Sequence, residues 1–221
     1  MMTTHNYFTS SIGKKQIMAL TGFGLIGFTL THLAGNFLIL VGADAFNVYA
    51  YKLTSNPLIY VAEAALAGMF LGHVVLAVLL KLENMAARPK SYFTKVKTGR
   101  GETLASSTMP YTGLVLLAFI IIHLLNFKFG TNYDTTVDGV AMRDLYKTVV
   151  EYFANPLYVA WYVFAMLCLG LHTSHGFQSM FQTWGLNHPK YTPAIQTISM
   201  AYGVFVAIGF SSLAIFCHFQ N

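Results

Sequence analysis

The chain has 221 residues, 55% of them hydrophobic and only 10% charged, against the roughly 25% charged residues usual in a soluble domain. A bilayer is the expected solvent. The net charge of +5 follows the sidedness of the loops described below, so it is not read as a nucleic-acid footprint.

Five stretches are long enough to cross a hydrocarbon core of about 30 Å, which takes about 20 apolar helical residues. They are residues 16–41, 57–82, 109–127, 156–182 and 193–219. The expected fold is an all-α integral membrane protein, one transmembrane domain over residues 1–221, with the first four helices forming a bundle. The first stretch follows Lys14 and Lys15, and its apolar run of about 26 residues exceeds the 7 to 15 of a signal-peptide core, so it reads as a retained helix. It carries Thr21-Gly22, Gly24, Gly27, His32 and Gly35. Small residues there suit either ordinary helix packing or the close approach of a flat macrocycle. The second stretch opens Asn56-Pro57-Leu58 and contains Glu63 and His73. The basic loop of residues 81–108 then holds Lys81, Arg88, Lys90, Lys95, Lys97 and Arg100. The third stretch carries Thr112-Gly113 and His123, and the fourth opens Asn155-Pro156-Leu157 and carries His172 and His175. Cys168 and Cys217 fall inside spans, without the spacing of a disulfide framework or a zinc site.

Basic residues collect on the cytoplasmic side of short loops. With the N-terminus inside, that side holds Lys14, Lys15, Lys81, Arg88, Lys90, Lys95, Lys97, Arg100 and Lys190, against Lys52, Lys128, Arg143 and Lys147 outside. The expected topology is N-in and C-out. The acidic loop with Asp134, Asp138, Asp144 and Glu151 agrees.

Four of the eight histidines, His32, His73, His123 and His172, lie one to a span in the first four spans. Ionisable groups at membrane depth are rare and usually functional. The spans also echo one another. Nine residues separate Gly22 from His32, and nine separate Gly113 from His123; His73 and His172 each follow their proline by sixteen. A two-span unit is thus repeated in parallel. At about 1.5 Å per residue, His73 and His172 lie about 24 Å from the outer ends of their spans, in the inner half. His32 lies roughly 25 Å from Lys15 and His123 about 20 Å from Pro110, both in the outer half. A b-type haem needs two imidazoles from different helices at one depth. The expected pairs are His32 with His123 on an outer haem, and His73 with His172 on an inner one. His175 competes with His172, three residues on and near the same face, but the repeat favours His172. His5, His188 and His218 fall in a tail, a loop and a span end.

The pattern now resembles a known family, the single-chain, five-helix, two-haem cytochrome b subunit of succinate:quinone oxidoreductases, which includes bacterial succinate dehydrogenase and quinol:fumarate reductase. The resemblance runs over nearly the whole chain. It is most specific in His172-Thr-Ser-His-Gly-Phe-Gln-Ser-Met-Phe-Gln-Thr-Trp184-Gly185, similar to the family's fourth-helix ligand with its Gly, Ser and Thr-Trp-Gly positions. It implies two haem b groups, and a flavoprotein and an iron–sulfur subunit docked on the cytoplasmic face of a bacterial inner membrane. It further implies electron exchange with menaquinone or another quinone in succinate oxidation or fumarate reduction, and the same helix pairing that depth gave. This subunit would not itself bind succinate or fumarate. Two positions depart from relatives: Met18 and Ala19 stand where some carry a Gln-Ser pair near the inner haem propionates, and Gly170 where some carry a glutamate.

Glu63, about 9 Å in from the outer end of its span, is the candidate quinone-binding residue and proton acceptor. No other catalytic residue is expected. The basic loop is the expected docking surface for the iron–sulfur subunit, anionic lipid being the simpler competing ligand. A di-haem cytochrome of a formate dehydrogenase or nitrate reductase is a second reading, disfavoured by the Thr-Trp-Gly segment and by one histidine in each of the first four spans. A haem-free transporter with a histidine proton relay is a third.

Overall fold

The computed structural model describes residue 7, residues 10–87 and residues 104–220, the side chains of residues 104–106 excepted. Arg88, Lys90, Lys95, Lys97, Arg100 and His5 lie outside the described residues. Helices α1 (Ser11–Asn36), α2 (Ala43–Thr54), α3 (Leu58–Ala86), α4 (Leu104–His123), α5 (Leu145–Phe153), α6 (Pro156–Thr183) and α7 (Thr192–His218) account for most of the chain, with one short hairpin of β1 (Asp134–Val137) and β2 (Val140–Arg143). Of these, α1, α3, α4, α6 and α7, two of them extended by a short tight or wide turn, are long and apolar enough to cross a membrane. The fold is the all-α, five-span arrangement expected from composition.

The repeated Asn-Pro-Leu segments are helix-start devices. The Asn56 side chain accepts from the Leu58 N–H at 3.0 Å, and Asn155 accepts from the Leu157 N–H at 2.9 Å. Each satisfies a donor that the first helical turn leaves unpaired. Proline next to the cap costs nothing there, because the N–H it lacks would have no partner.

Helix α7 packs along α6, and α6 along α4 and α1, while α3 lies against α1. The α6–α7 approach is backbone to backbone: a Cβ added at Gly170 would stand 2.7 Å from the Gly203 carbonyl oxygen and 2.9 Å from the Ala207 Cβ. Gly170 therefore has no room for a side chain in this packing. Tyr202 of α7 donates to the Ile26 carbonyl of α1 at 2.8 Å, tying the fifth span to the first.

At one end of the bundle, α2, the hairpin and α5 form a cap. Its hairpin turns on Asp138 and Gly139, both with positive φ (49° and 78°), the Asp-Gly combination that a tight two-residue turn requires. Asn47 is the buried joint of the cap: its amide donates to Asp144 Oδ1 at 2.9 Å and its oxygen accepts from the Tyr146 N–H at 2.9 Å. Asp144 in turn caps α5 by accepting from the Lys147 N–H. Phe46 and Phe153 of the cap pack with Leu33, Tyr162, Leu213 and Cys217 into the main apolar cluster. At the opposite, open end, Lys14 of α1 forms an ion pair with Glu83 of α3.

Candidate metal-binding histidine pairs

Two pairs of histidines face each other inside the bundle. His32 of α1 and His123 of α4, toward the cap end, have ring centroids 5.9 Å apart. His73 of α3 and His172 of α6, toward the open end, have centroids 6.4 Å apart. An imidazole nitrogen binds a transition metal at about 2 Å, which puts two opposed nitrogens about 4 Å apart and their ring centres about 6 Å apart. Both pairs have that spacing. The helices that would share a metal group are also not packed on each other: neither α1 with α4 nor α3 with α6 is among the closely packed pairs.

The Thr-Gly segments of the repeat serve these pairs, each across to a neighbouring helix. Thr21 Oγ1 lies 3.3 Å from His73 Nδ1, and Thr112 Oγ1 lies 3.2 Å from His172 Nδ1. Each threonine hydroxyl already donates to carbonyls one turn back, Ile17 and Met18 in one case and Thr108 and Met109 in the other. With its proton so committed, the oxygen is left to accept from the imidazole, so Nδ1 carries the hydrogen and Nε2 keeps its lone pair. That is the ligand tautomer, held by an outer hydrogen bond. The adjacent glycines make room: a Cβ at Gly22 would stand 3.4 Å from the His73 ring, and one at Gly113 would stand 3.6 Å from the His172 ring.

His32 lies eleven positions after Thr21, and His123 eleven after Thr112. Eleven residues are three turns, returning to nearly the same face about 16 Å further along the axis. Helices α1 and α4 thus each place a threonine beside one pair and a histidine in the other.

The pair at the cap end is held differently. His123 Nδ1 lies 3.0 Å from the Tyr162 hydroxyl, which receives a weak bond from Tyr158 at 3.4 Å; Asn126 donates to Tyr158 at 2.6 Å. His32 Nδ1 lies 3.4 Å from the Asn36 amide. Phe28, Phe119, Phe127 and Phe210 surround these two rings. The expected haem is compatible with both pairs, which offer opposed imidazoles on separated helices in apolar surroundings, each with its second nitrogen beside a polar partner. At Gly27 on α1 a Cβ would meet nothing within 4 Å.

Other candidates fall outside the pairs. His175 joins neither. His188 packs on Tyr191, and His218 Nδ1 lies 2.8 Å from the Phe153 carbonyl oxygen. Glu63 is not isolated: it forms an ion pair with Lys128, at the end of a wide π turn over Leu124–Lys128 that follows His123 directly. Such turns re-aim side chains and recur at functional sites; here the turn carries Asn126 to Tyr158 and Lys128 to Glu63. Thr21, Thr112, Tyr162 and Lys128 therefore contact the candidate residues without having been singled out by the histidine pattern, although the matched Thr-Gly spacing marks the first two.

Comparison with known proteins gives a family for the chain. The chain is 24% identical over 206 residues to the succinate dehydrogenase cytochrome b558 subunit of Bacillus subtilis (strain 168), covering 90% of this chain and 92% of that protein. No solved structure matches. The sequence profile described as succinate dehydrogenase/fumarate reductase transmembrane subunit matches residues 84–211, a window that includes His123 and His172 and begins after His32 and His73. That window is more than half of the chain, and its helices carry one ligand-type histidine of each facing pair: the chain belongs to the succinate dehydrogenase/fumarate reductase transmembrane subunit family.

Proposed function

We propose that the chain is a two-haem cytochrome b of a succinate dehydrogenase or fumarate reductase complex, linking an iron–sulfur partner on the cytoplasmic face to a quinone in the membrane, menaquinone or another. The observation that carries this reading is the presence of two facing histidine pairs at two depths on four spanning helices. The name of the B. subtilis relative, a cytochrome b subunit, supports it. Bound at the pairs, haem would supply one-electron carriage between the two faces of the bilayer. The protein's part is to present the imidazoles of His32 and His123 to one group and of His73 and His172 to the other, to fix the latter two rings through Nδ1, and to keep the sites apolar.

The excess of lysine and arginine around the open end supports an N-in, C-out orientation in a bacterial inner membrane. The cap then faces outward, and the open end faces a flavoprotein and an iron–sulfur subunit, with the basic loop of residues 81–108 as docking surface. Near the cap, the Glu63 carboxylate is proposed to take the proton of a bound quinol, with Lys128 holding the carboxylate in place.

Purification of the intact complex tests the whole reading. The expected result is two b-type haems per copy of this chain, co-purified flavoprotein and iron–sulfur subunits, and quinone-linked succinate oxidation or fumarate reduction. A protein without reducible b-type absorption would instead favour a transporter.

A finer expectation concerns Thr21. Thr21→Val keeps the shape but removes the acceptor for His73 Nδ1–H, making the imidazole a weaker donor to ferric iron. A lost hydrogen bond of about 1 kcal/mol corresponds to a rise of roughly 40 mV in a one-electron midpoint. Optical redox titration should find that shift in one haem only.

A further inference from the structure

At the open end, α1 and α6 part around a cleft of about 290 Å³ lined by Ile12, Lys15, Ser179, Gln182 and Thr183. Helical register ties it to the His73–His172 pair. Lys15 lies seven residues before Gly22, the glycine set against the His73 ring. Ser179 and Thr183 lie seven and eleven residues past His172. Both spacings return to nearly the same helix face, about 10 to 16 Å nearer the open end. The cleft therefore lies below the histidine pair, on the faces that carry it, and its nearer part is within the span of a porphyrin's propionate arms, toward which the long Lys15 side chain can extend.

The lining chemistry is that of an anion site. Lys14 is neutralised by Glu83, but among the described residues no carboxylate stands against Lys15. The Thr183 hydroxyl donates to the Ser179 carbonyl at 2.9 Å, while among the described residues the Ser179 hydroxyl and the Gln182 amide have no partner. An ammonium, a hydroxyl and an amide thus converge with donors to spare. A carboxylate at the edge of a membrane interior needs such a cation and such donors. Met18 and Ala19, one turn deeper on α1, provide neither.

We propose that this cleft receives the propionate carboxylates of the haem held by His73 and His172, with Lys15 supplying the positive charge and Ser179 and Gln182 the further hydrogen bonds. The assignment rests on the two-haem reading above. A cation beside the propionates favours the reduced haem, which carries one positive charge fewer, so removing it lowers that haem's midpoint.

The test is redox titration of the intact complex carrying Lys15→Gln, alongside Lys15→Arg and Ser179→Ala. The expected result is full haem content, with a downward shift confined to the same haem whose midpoint Thr21→Val raises. Ser179→Ala should give a smaller shift in the same direction, and Lys15→Arg little change. Two unmoved midpoints in Lys15→Gln, or two that move alike, would overturn the proposal. So would loss of a tightly bound anionic phospholipid from Lys15→Gln, seen by native mass spectrometry, with both midpoints intact; the cleft would then be a headgroup site. Failure of the underlying two-haem reading is separately visible, because the unaltered complex would then lack two b-type haems.

Discussion

Replacing His123 with leucine is expected to remove one of two haems outright, taking the ratio from about two per chain to about one, while the second keeps its spectrum and midpoint. Leucine suits the helix and the surrounding Phe119, Phe127 and Tyr162, so the loss reports the missing axial nitrogen and not a collapsed bundle. The sharper consequence is in the comparison of variants. His32→Leu and His123→Leu must leave the same single-haem species, because both break the pair at the cap end. His73→Leu and His172→Leu must leave the other one. Haem quantitation with low-temperature spectra of the four variants decides the matter; different residual haems in His32→Leu and His123→Leu would break the assignment.

Glu63→Gln is expected to lower quinone-linked turnover by about 100-fold or more, the usual contribution of a positioned proton acceptor, without loss of either haem. The amide preserves size but cannot take a proton at neutral pH. Lys128→Met should also reduce turnover, because the carboxylate loses the ammonium that holds it. Electron delivery from succinate to the haems, followed optically, should be unchanged in both variants, placing the defect after reduction of the cytochrome. Undiminished quinone turnover in Glu63→Gln would end its assignment as proton acceptor.

The spanning helices were legible in the sequence because a bilayer imposes one strong rule, a long apolar run with its polar groups at the ends. The facing of His32 with His123 and of His73 with His172 was legible for a related reason: the rise per residue turns position in a span into depth, and only matched depths can meet. The cap was not read as structure, although Asp138-Gly139 is an open signal for its hairpin; polar segments between spans carry little periodicity from which to infer α2 or α5. The partners of the histidines were hidden differently. Thr21 bonds a side chain 52 residues away and Thr112 one 60 residues away, and such contacts depend on how helices rotate against each other. Helical spacing within one segment does not contain that rotation. The ion pair of Glu63 with Lys128 depends in addition on a π turn, which inserts one residue into the register without a compositional mark.

The two histidine pairs have one further consequence, for the order in which the protein is made. Thr21 and His73 lie together in the first half of the repeat, and Thr112 and His172 in the second, so each half completes the support of one ligand by itself. No half contains both ligands of any pair. On the two-haem reading, capture at the cap end must therefore wait until α4 has met α1, and at the open end until α6 has met α3, and each captured group fastens one half to the other. Cells starved of haem should accumulate an inserted chain whose halves are loosely joined, seen as lower protease resistance of the membrane-bound protein.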